Sequence, residues 1–189
     1  MRSARLKKYL RDYAWLLSIA GVIIVIDQWT KVLVRNNLSF QEIWAPWDWI
    51  RPYARIVHWQ NTGAAFGMFQ NMNPVFMVLA VLVSLAIFYY FPRVPRSEWY
   101  LRLALCLQLA GAVGNLIDRI YQGYVTDFIS VGTFAVFNVA DASISTGVAV
   151  MLLGLWLKER QEKANQVDQS NLSANSEADQ SNLKGDRVE

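Results

Sequence analysis

Four apolar stretches of similar length dominate this sequence, at about residues 13–34, 74–91, 101–120 and 137–157. Each is close to the ~20 residues an α-helix needs to cross roughly 30 Å of hydrocarbon. In lipid the backbone has to satisfy its own hydrogen bonds, which leaves spanning helices as the reading for such stretches. The expected fold class is therefore an all-α polytopic membrane protein. It has four transmembrane helices, a small extended or β outer platform over about 35–73, and a polar C-terminal tail. The third stretch is the least apolar, because it holds Arg102, Gln108, Asn115, Asp118 and Arg119. Polar groups of that kind are expected to face a bundle interior.

Charge sets the expected orientation. Arg2, Arg5, Lys7, Lys8 and Arg11 precede the first stretch. Arg93, Arg96 and Arg102 lie around the second connection, and Lys158, Arg160 and Lys163 follow the fourth stretch. The 121–136 segment has no basic residue. The positive-inside rule then puts both termini and the 92–100 connection in the cytoplasm, with 35–73 and 121–136 outside. Arg35, Arg51 and Arg55 make the asymmetry good rather than perfect. No small-x-small cleavage site follows "GVIIVI", so the first stretch is expected to be retained rather than removed as a leader. The net charge of +3 is small, and the basic residues flank apolar runs instead of forming a face with aromatics. A nucleic-acid partner is not expected. The single cysteine, Cys106, excludes an internal disulfide.

Outside the spans the chain changes character twice. "EIWAPWDWI" places three tryptophans close together, as suits a membrane–water interface. "ARIVHWQ" has strand composition, and "NTGAAFG" carries turn and small residues. From about Glu159 the chain is polar, and "DQSNL" recurs after eleven residues. That composition buries too little apolar surface to offset ordering entropy, so 159–189 is expected to be disordered. An eleven-residue period also suits a helix.

The acidic residues carry the chemistry. Asp27 has Lys31 four residues on, the favourable order for an ion pair along one helix face. Asp118 has Arg119 beside it, which cannot face it on a helix. Asp127 and Asp141 have no Lys or Arg within four residues on either side. Each needs a partner from elsewhere, and the loop between them can bring the two together. Two adjacent carboxylates cannot both ionise easily, so they share a proton, and one serves as base while the other serves as acid. That is the chemistry of an aspartic protease. The bland alternative is that both merely cap helices or bond to backbone. Asn138 lies three residues before Asp141, and Asn115, Asp118 and Arg119 are expected on one face of the third span. Such amides orient carboxylates or bind peptide backbone, or else act as interhelical glue worth about 0.6 kcal/mol each. Gly111 and Gly114 suit close helix approach.

Other catalytic schemes lack their parts. The one histidine, His58, occurs without an HExxH motif, so no zinc ligand set is expected. No GxSxG elbow accompanies it, and Asp27 accounts for Lys31 without a Ser–Lys dyad. A non-enzymatic small membrane carrier, with a polar site at the outer end of the bundle, remains the competing class. It would favour polar groups along the full depth, whereas here they gather at one end and span two is almost wholly apolar.

"DQWTK" (27–31), "NTGAAFG" (61–67), "GAVGNLIDR" (111–119), "VTDF" (125–128) and "FNVADASI" (137–144) together resemble the ordered motifs of bacterial lipoprotein signal peptidase, also called signal peptidase II. The likeness covers about residues 10–158, with the tail outside it. It implies an intramembrane aspartyl endopeptidase of four transmembrane helices, without metal or organic cofactor. Its substrates would be diacylglyceryl-modified prolipoproteins, cut on the amino side of the lipidated cysteine, with membrane lipids around it. The enzyme would work as a monomer in the bacterial cytoplasmic membrane, with its site near the outer face. By motif, the catalytic pair would be Asp127 and Asp141. Asn61, Asn115, Arg119 and Asn138 would bind substrate or support the pair, and Asp27, Lys31 and Asp118 would be structural polar residues.

Overall fold

A computed structural model of the chain describes residues 2–63, 69–70 and 72–185, with side chains from Leu6 to Gln166 within those ranges. The helices are α1 (Arg2–Asn37), α2 (Asn73–Tyr90), α3 (Trp99–Gln122) and α4 (Val139–Gly185). Three strands, β1 (Ile43–Trp44), β2 (Ala54–Asn61) and β3 (Val125–Val131), lie between them, and a 3-10 turn at Phe91–Arg93 follows α2. All four helices are long and apolar enough to cross a membrane. The expected fold class is borne out; the first three spans run somewhat beyond their apolar stretches at both ends, and the fourth begins at Val139, two residues inside its own. The chain divides into two compact units, Met1–Val150 and Met151–Glu189.

In the first unit α3 packs against both α1 and α2. Leu16 and Ala20 of α1, Ile87 and Phe91 at the end of α2, and Cys106, Leu109 and Ala110 of α3 form a buried apolar cluster. Cys106 is the small core residue its setting suggests. Helix α2 begins with a proline in its first turn and buries only Ile87. A helix apolar all round, with most of its surface uncovered, is one solvated by hydrocarbon. Helix α3 ends at Gly123 with φ 77°, the left-handed C-cap that glycine adopts without a Cβ clash.

Helices α3 and α4 meet along small residues. A Cβ at Gly111 would come 2.4 Å from the Ala140 carbonyl oxygen, and one at Gly147 would come 3.0 Å from the Ala104 carbonyl oxygen. Ser143 donates to the Leu107 carbonyl across the same seam at 2.7 Å. Small side chains let helix backbones approach where no hydrophobic force drives them together.

The sheet has the order β1-β2-β3, antiparallel throughout. Here the structure corrects the sequence reading. The outer platform does not occupy 35–73 alone: α1 continues to Asn37, and the third strand comes from 125–131, inside the segment read as a loop. The reason is legible afterwards, since five of the seven residues of "VTDFISV" are β-branched or aromatic. Between Ile56 and Trp59 the β2–β3 register shifts, so Ile56 faces Ile129 while Trp59 faces Asp127 and Asn61 faces Val125. Trp44, Trp47 and Trp49 are exposed, as an interfacial belt requires. The "NTGAAFG" motif lies partly outside the described residues.

In the second unit the backbone is helical to Gly185, whereas its polar composition predicts disorder. Its side chains from Glu159 to Gln166 are exposed, in keeping with a composition that offers no core-forming face.

Candidate active site

The site is built where the sheet meets the ends of α1, α3 and α4. Asp127 stands on β3, buried to 1% exposure. Asp141 stands in the first turn of α4. One side chain joins them. Asn138, fully buried, donates from Nδ2 to Asp127 Oδ1 at 2.7 Å. Its Oδ1 accepts the Asp141 backbone N–H at 3.0 Å, while Asp141 Oδ2 accepts the Asn138 backbone N–H at 3.2 Å. That reciprocal pair is a capping box at the start of α4, with aspartate in the usual glutamate place. The same residues thus start a helix and align two carboxylates.

Amides complete the shell. Asn61 Nδ2 donates to Asp127 Oδ2 at 3.0 Å. Asn115 Nδ2 donates to Asp141 Oδ1 at 2.7 Å. Among the described residues neither Asp127 nor Asp141 forms an ion pair, in contrast to Asp27 and Asp118. Burial, reinforced by the charge of Asp141, pushes the Asp127 carboxyl up from 3.8 to about 7, against the pull of its bonds from Asn61 and Asn138. Both carboxylates line a cavity of about 470 Å³, whose walls include Asn61, Asn115, Arg119, Phe134 and Ile144.

Behind the amides lies a buried ionic network. Lys31, with no exposure, spends its three donors on Asp27 Oδ2 at 2.9 Å, Asn115 Oδ1 at 3.0 Å and Asp118 Oδ2 at 3.3 Å. A buried ammonium needs all three. Asn115 Oδ1 also accepts from Asn138 at 3.1 Å, so the cation is one amide removed from Asp141 and two from Asp127. Asp27 Oδ1 accepts the Ala140 N–H at 2.8 Å, satisfying a free donor in the first turn of α4. Asp118 Oδ2 accepts the Thr126 N–H at 2.9 Å and so holds β3 beside Asp127.

The nine residues singled out from the sequence divide accordingly. Asp127, Asp141, Asn61, Asn115 and Arg119 line the cavity, Asn138 bridges the pair, and Asp27, Lys31 and Asp118 brace it. The expected common face for Asn115, Asp118 and Arg119 does not hold. Asp118 turns to Lys31 and Arg35, while Arg119 donates to the Gly63 carbonyl at 3.2 Å and lies over the Phe76 ring. Adjacent residues on a helix diverge by about 100°, which separates those two. Gly114 proves to be more than a packing residue, because a Cβ there would come 2.7 Å from Asp27 Oδ2. His58 is buried, with Nδ1 2.9 Å from the Leu38 carbonyl oxygen, and does not line the cavity.

Three contributors escaped the sequence reading. Gln28 donates to Asp27 at 3.1 Å and to the Gly114 carbonyl at 3.0 Å. Arg35 donates to Thr126 Oγ1 at 2.9 Å and lies 3.5 Å from Asp118. Thr126 is fully buried beside them. Arg35 lies four residues beyond Lys31, so the helical spacing that paired Asp27 with Lys31 pointed to it too.

Comparison with known proteins agrees with this architecture. The family model for signal peptidase (SPase) II matches residues 19–157. The lipoprotein signal peptidase of Anoxybacillus flavithermus is 37% identical over 149 residues, covering 77% of this chain and 87% of that protein. The lipoprotein signal peptidase of Mesorhizobium japonicum is 39% identical over 161 residues, covering 82% and 94%. A solved bacterial membrane enzyme, determined in meso at 2.3 Å resolution, superposes with a TM-score of 0.71 at 27% identity, covering 77% of this chain and 90% of that one. Four apolar helices, the ordered motifs and these relatives converge: the chain is a multi-pass membrane protein and belongs to the signal peptidase II family.

Proposed function

We propose that this protein is an intramembrane aspartyl endopeptidase that removes the signal peptide from diacylglyceryl-modified prolipoproteins, cutting on the amino side of the lipidated cysteine. The observation that carries the reading is the pair Asp127 and Asp141, tied together by Asn138, free of ion pairs among the described residues and open to one cavity. With one proton between them, one carboxylate activates a water. That water attacks the carbonyl before the lipidated cysteine, and the protonated partner donates to the leaving amine. Asn61, Asn115 and Asn138 hold the carboxylates in orientation, and Arg119, at the cavity wall, serves substrate binding. Asp27, Lys31 and Asp118 hold the frame.

The distribution of Lys and Arg supports cytoplasmic termini and a site near the outer face of the bacterial cytoplasmic membrane. The working unit of this reading is a monomer, with membrane lipids as its surroundings. A carrier function is not favoured, because the family is one of peptidases.

The test is cleavage by the purified protein of a diacylglyceryl-modified precursor beside an unmodified control. The wild type cuts the modified precursor in preference, and Asp127→Asn and Asp141→Asn each lose activity by at least about a thousandfold while keeping the wild-type thermal midpoint within a few degrees. A folded variant that cuts at the wild-type rate would remove its aspartate from the mechanism.

A further inference from the structure

A second polar cluster sits at the other end of the bundle. Asp12 of α1 is buried to 1% exposure. Its Oδ1 accepts from Arg96 Nε and NH2 at 3.1 and 2.8 Å, and from Arg102 NH2 at 2.9 Å. Its Oδ2 is buried and has no hydrogen-bond partner among the described residues. Arg102 is itself buried, donates also to the Val94 carbonyl at 3.1 Å, and lies over the Phe91 and Trp15 rings. These groups line a cavity of about 360 Å³ together with Arg11 and Trp99.

The charges do not balance. Three arginines face one aspartate, and only two of them pair with it. Arg11 lines the cavity without an ion pair among the described residues, and Arg96 is 41% exposed in its side chain. Arg93 and Glu98, the other charges between α2 and α3, cancel in the count. Asp12 lies fifteen residues before Asp27 on α1, so the cluster is about 22 Å along the helix from the peptidase site. Trp15 and Trp99 flank it, and tryptophan marks the level of lipid headgroups.

We propose that this cavity binds the phosphodiester headgroup of an anionic membrane phospholipid. Arg11 and the exposed part of Arg96 take the phosphate, Asp12 and Arg102 hold Arg96 in position, and the tryptophans bracket the headgroup. Basic pockets between transmembrane helices are suited to anionic headgroups. Nothing in this assignment depends on Asp127 or Asp141.

The experiment uses the full chain in detergent micelles supplemented with phosphatidylglycerol, phosphatidylcholine or, without lipid, inorganic phosphate. Native mass spectrometry counts retained lipid, and thermal unfolding reports stabilisation. Phosphatidylglycerol is expected to be retained about tenfold more strongly than phosphatidylcholine, and Arg11→Gln and Arg96→Gln are each expected to reduce that retention several-fold. Arg11→Gln disturbs no ion pair among the described residues, and its unchanged cleavage of lipidated precursor shows that the variant is folded. Equal retention of the two lipids, or unchanged phosphatidylglycerol retention in both variants, would reduce the cluster to a clasp between α1 and α3. Stabilisation by inorganic phosphate equal to that by phosphatidylglycerol would overturn the lipid as the ligand.

Discussion

Replacing Asn138 by serine separates two tasks that one side chain performs. Asn138 Oδ1 caps α4 by accepting the Asp141 N–H, and Nδ2 positions Asp127. Serine is as good an N-cap as asparagine, whereas alanine loses about 1 kcal/mol there. Neither replacement reaches Asp127 at 2.7 Å, and a hydrogen bond to a charged group contributes about 1.5–3 kcal/mol. Asn138→Ala should therefore lose about 2.5–4 kcal/mol in all, seen as a lowered thermal midpoint together with poor activity. Asn138→Ser should keep most of the cap contribution and still lose the Asp127 contact. If that contact holds the carboxylate in its working orientation, about 2.7 kcal/mol of it appears in the barrier, a hundredfold fall in kcat. The assay is initial-rate cleavage of a diacylglyceryl-modified precursor in detergent, with unfolding followed by tryptophan fluorescence. A serine variant with wild-type kcat would refute the reasoning, since Asn138 would then be a cap and nothing more.

The pH profile tests the shared proton: Asp127, raised to about 7, keeps its proton below that pH and loses it above. The kcat/KM should thus fall on an alkaline limb near 7, and a profile flat to roughly pH 9 would contradict the pairing. The same shift gives the folded state the tighter hold on the proton, so this group's contribution to stability is present at pH below 3.8 and lost as pH rises to about 7. Gly114→Ala should destabilise by about 1–3 kcal/mol, since its Cβ would meet Asp27 Oδ2 at 2.7 Å; Gly21→Ala, with nothing within 4 Å, should be neutral or stabilising in the same thermal assay. Lys31→Met should cost about 3–5 kcal/mol by leaving buried carboxylates uncompensated, and Asp27→Asn added to it should cost less than the two changes summed in a double-mutant cycle.

Much of this was legible in the chain because the bilayer simplifies the problem. Apolar length alone located the four helices, and spacing alone paired Asp27 with Lys31. The absence of nearby bases singled out Asp127 and Asp141, which the structure brings to one cavity. Sequence spacing could not show that Lys31 also reaches Asn115 and Asp118, because those contacts cross from α1 to α3. Strand β3 was missed for a related reason. Its partner β2 lies more than sixty residues earlier, and a strand that pairs so far away leaves only composition as a local sign. Asp12 went unremarked because its arginines are remote in sequence.

The capping box at Asn138 and Asp141 has a further consequence. The first turn of α4 and the candidate chemistry are the same atoms, so the top of the fourth span and the height of the cut become a single coordinate. Helix ends ordinarily fray, yet here fraying by one turn would dismantle the carboxylate pair, and activity would report directly on that turn. A bilayer of different thickness would be accommodated elsewhere along the bundle, since this end cannot slip without silencing the enzyme. The protein would act as its own depth gauge, measuring where a substrate's lipidated cysteine sits by where its own helix begins.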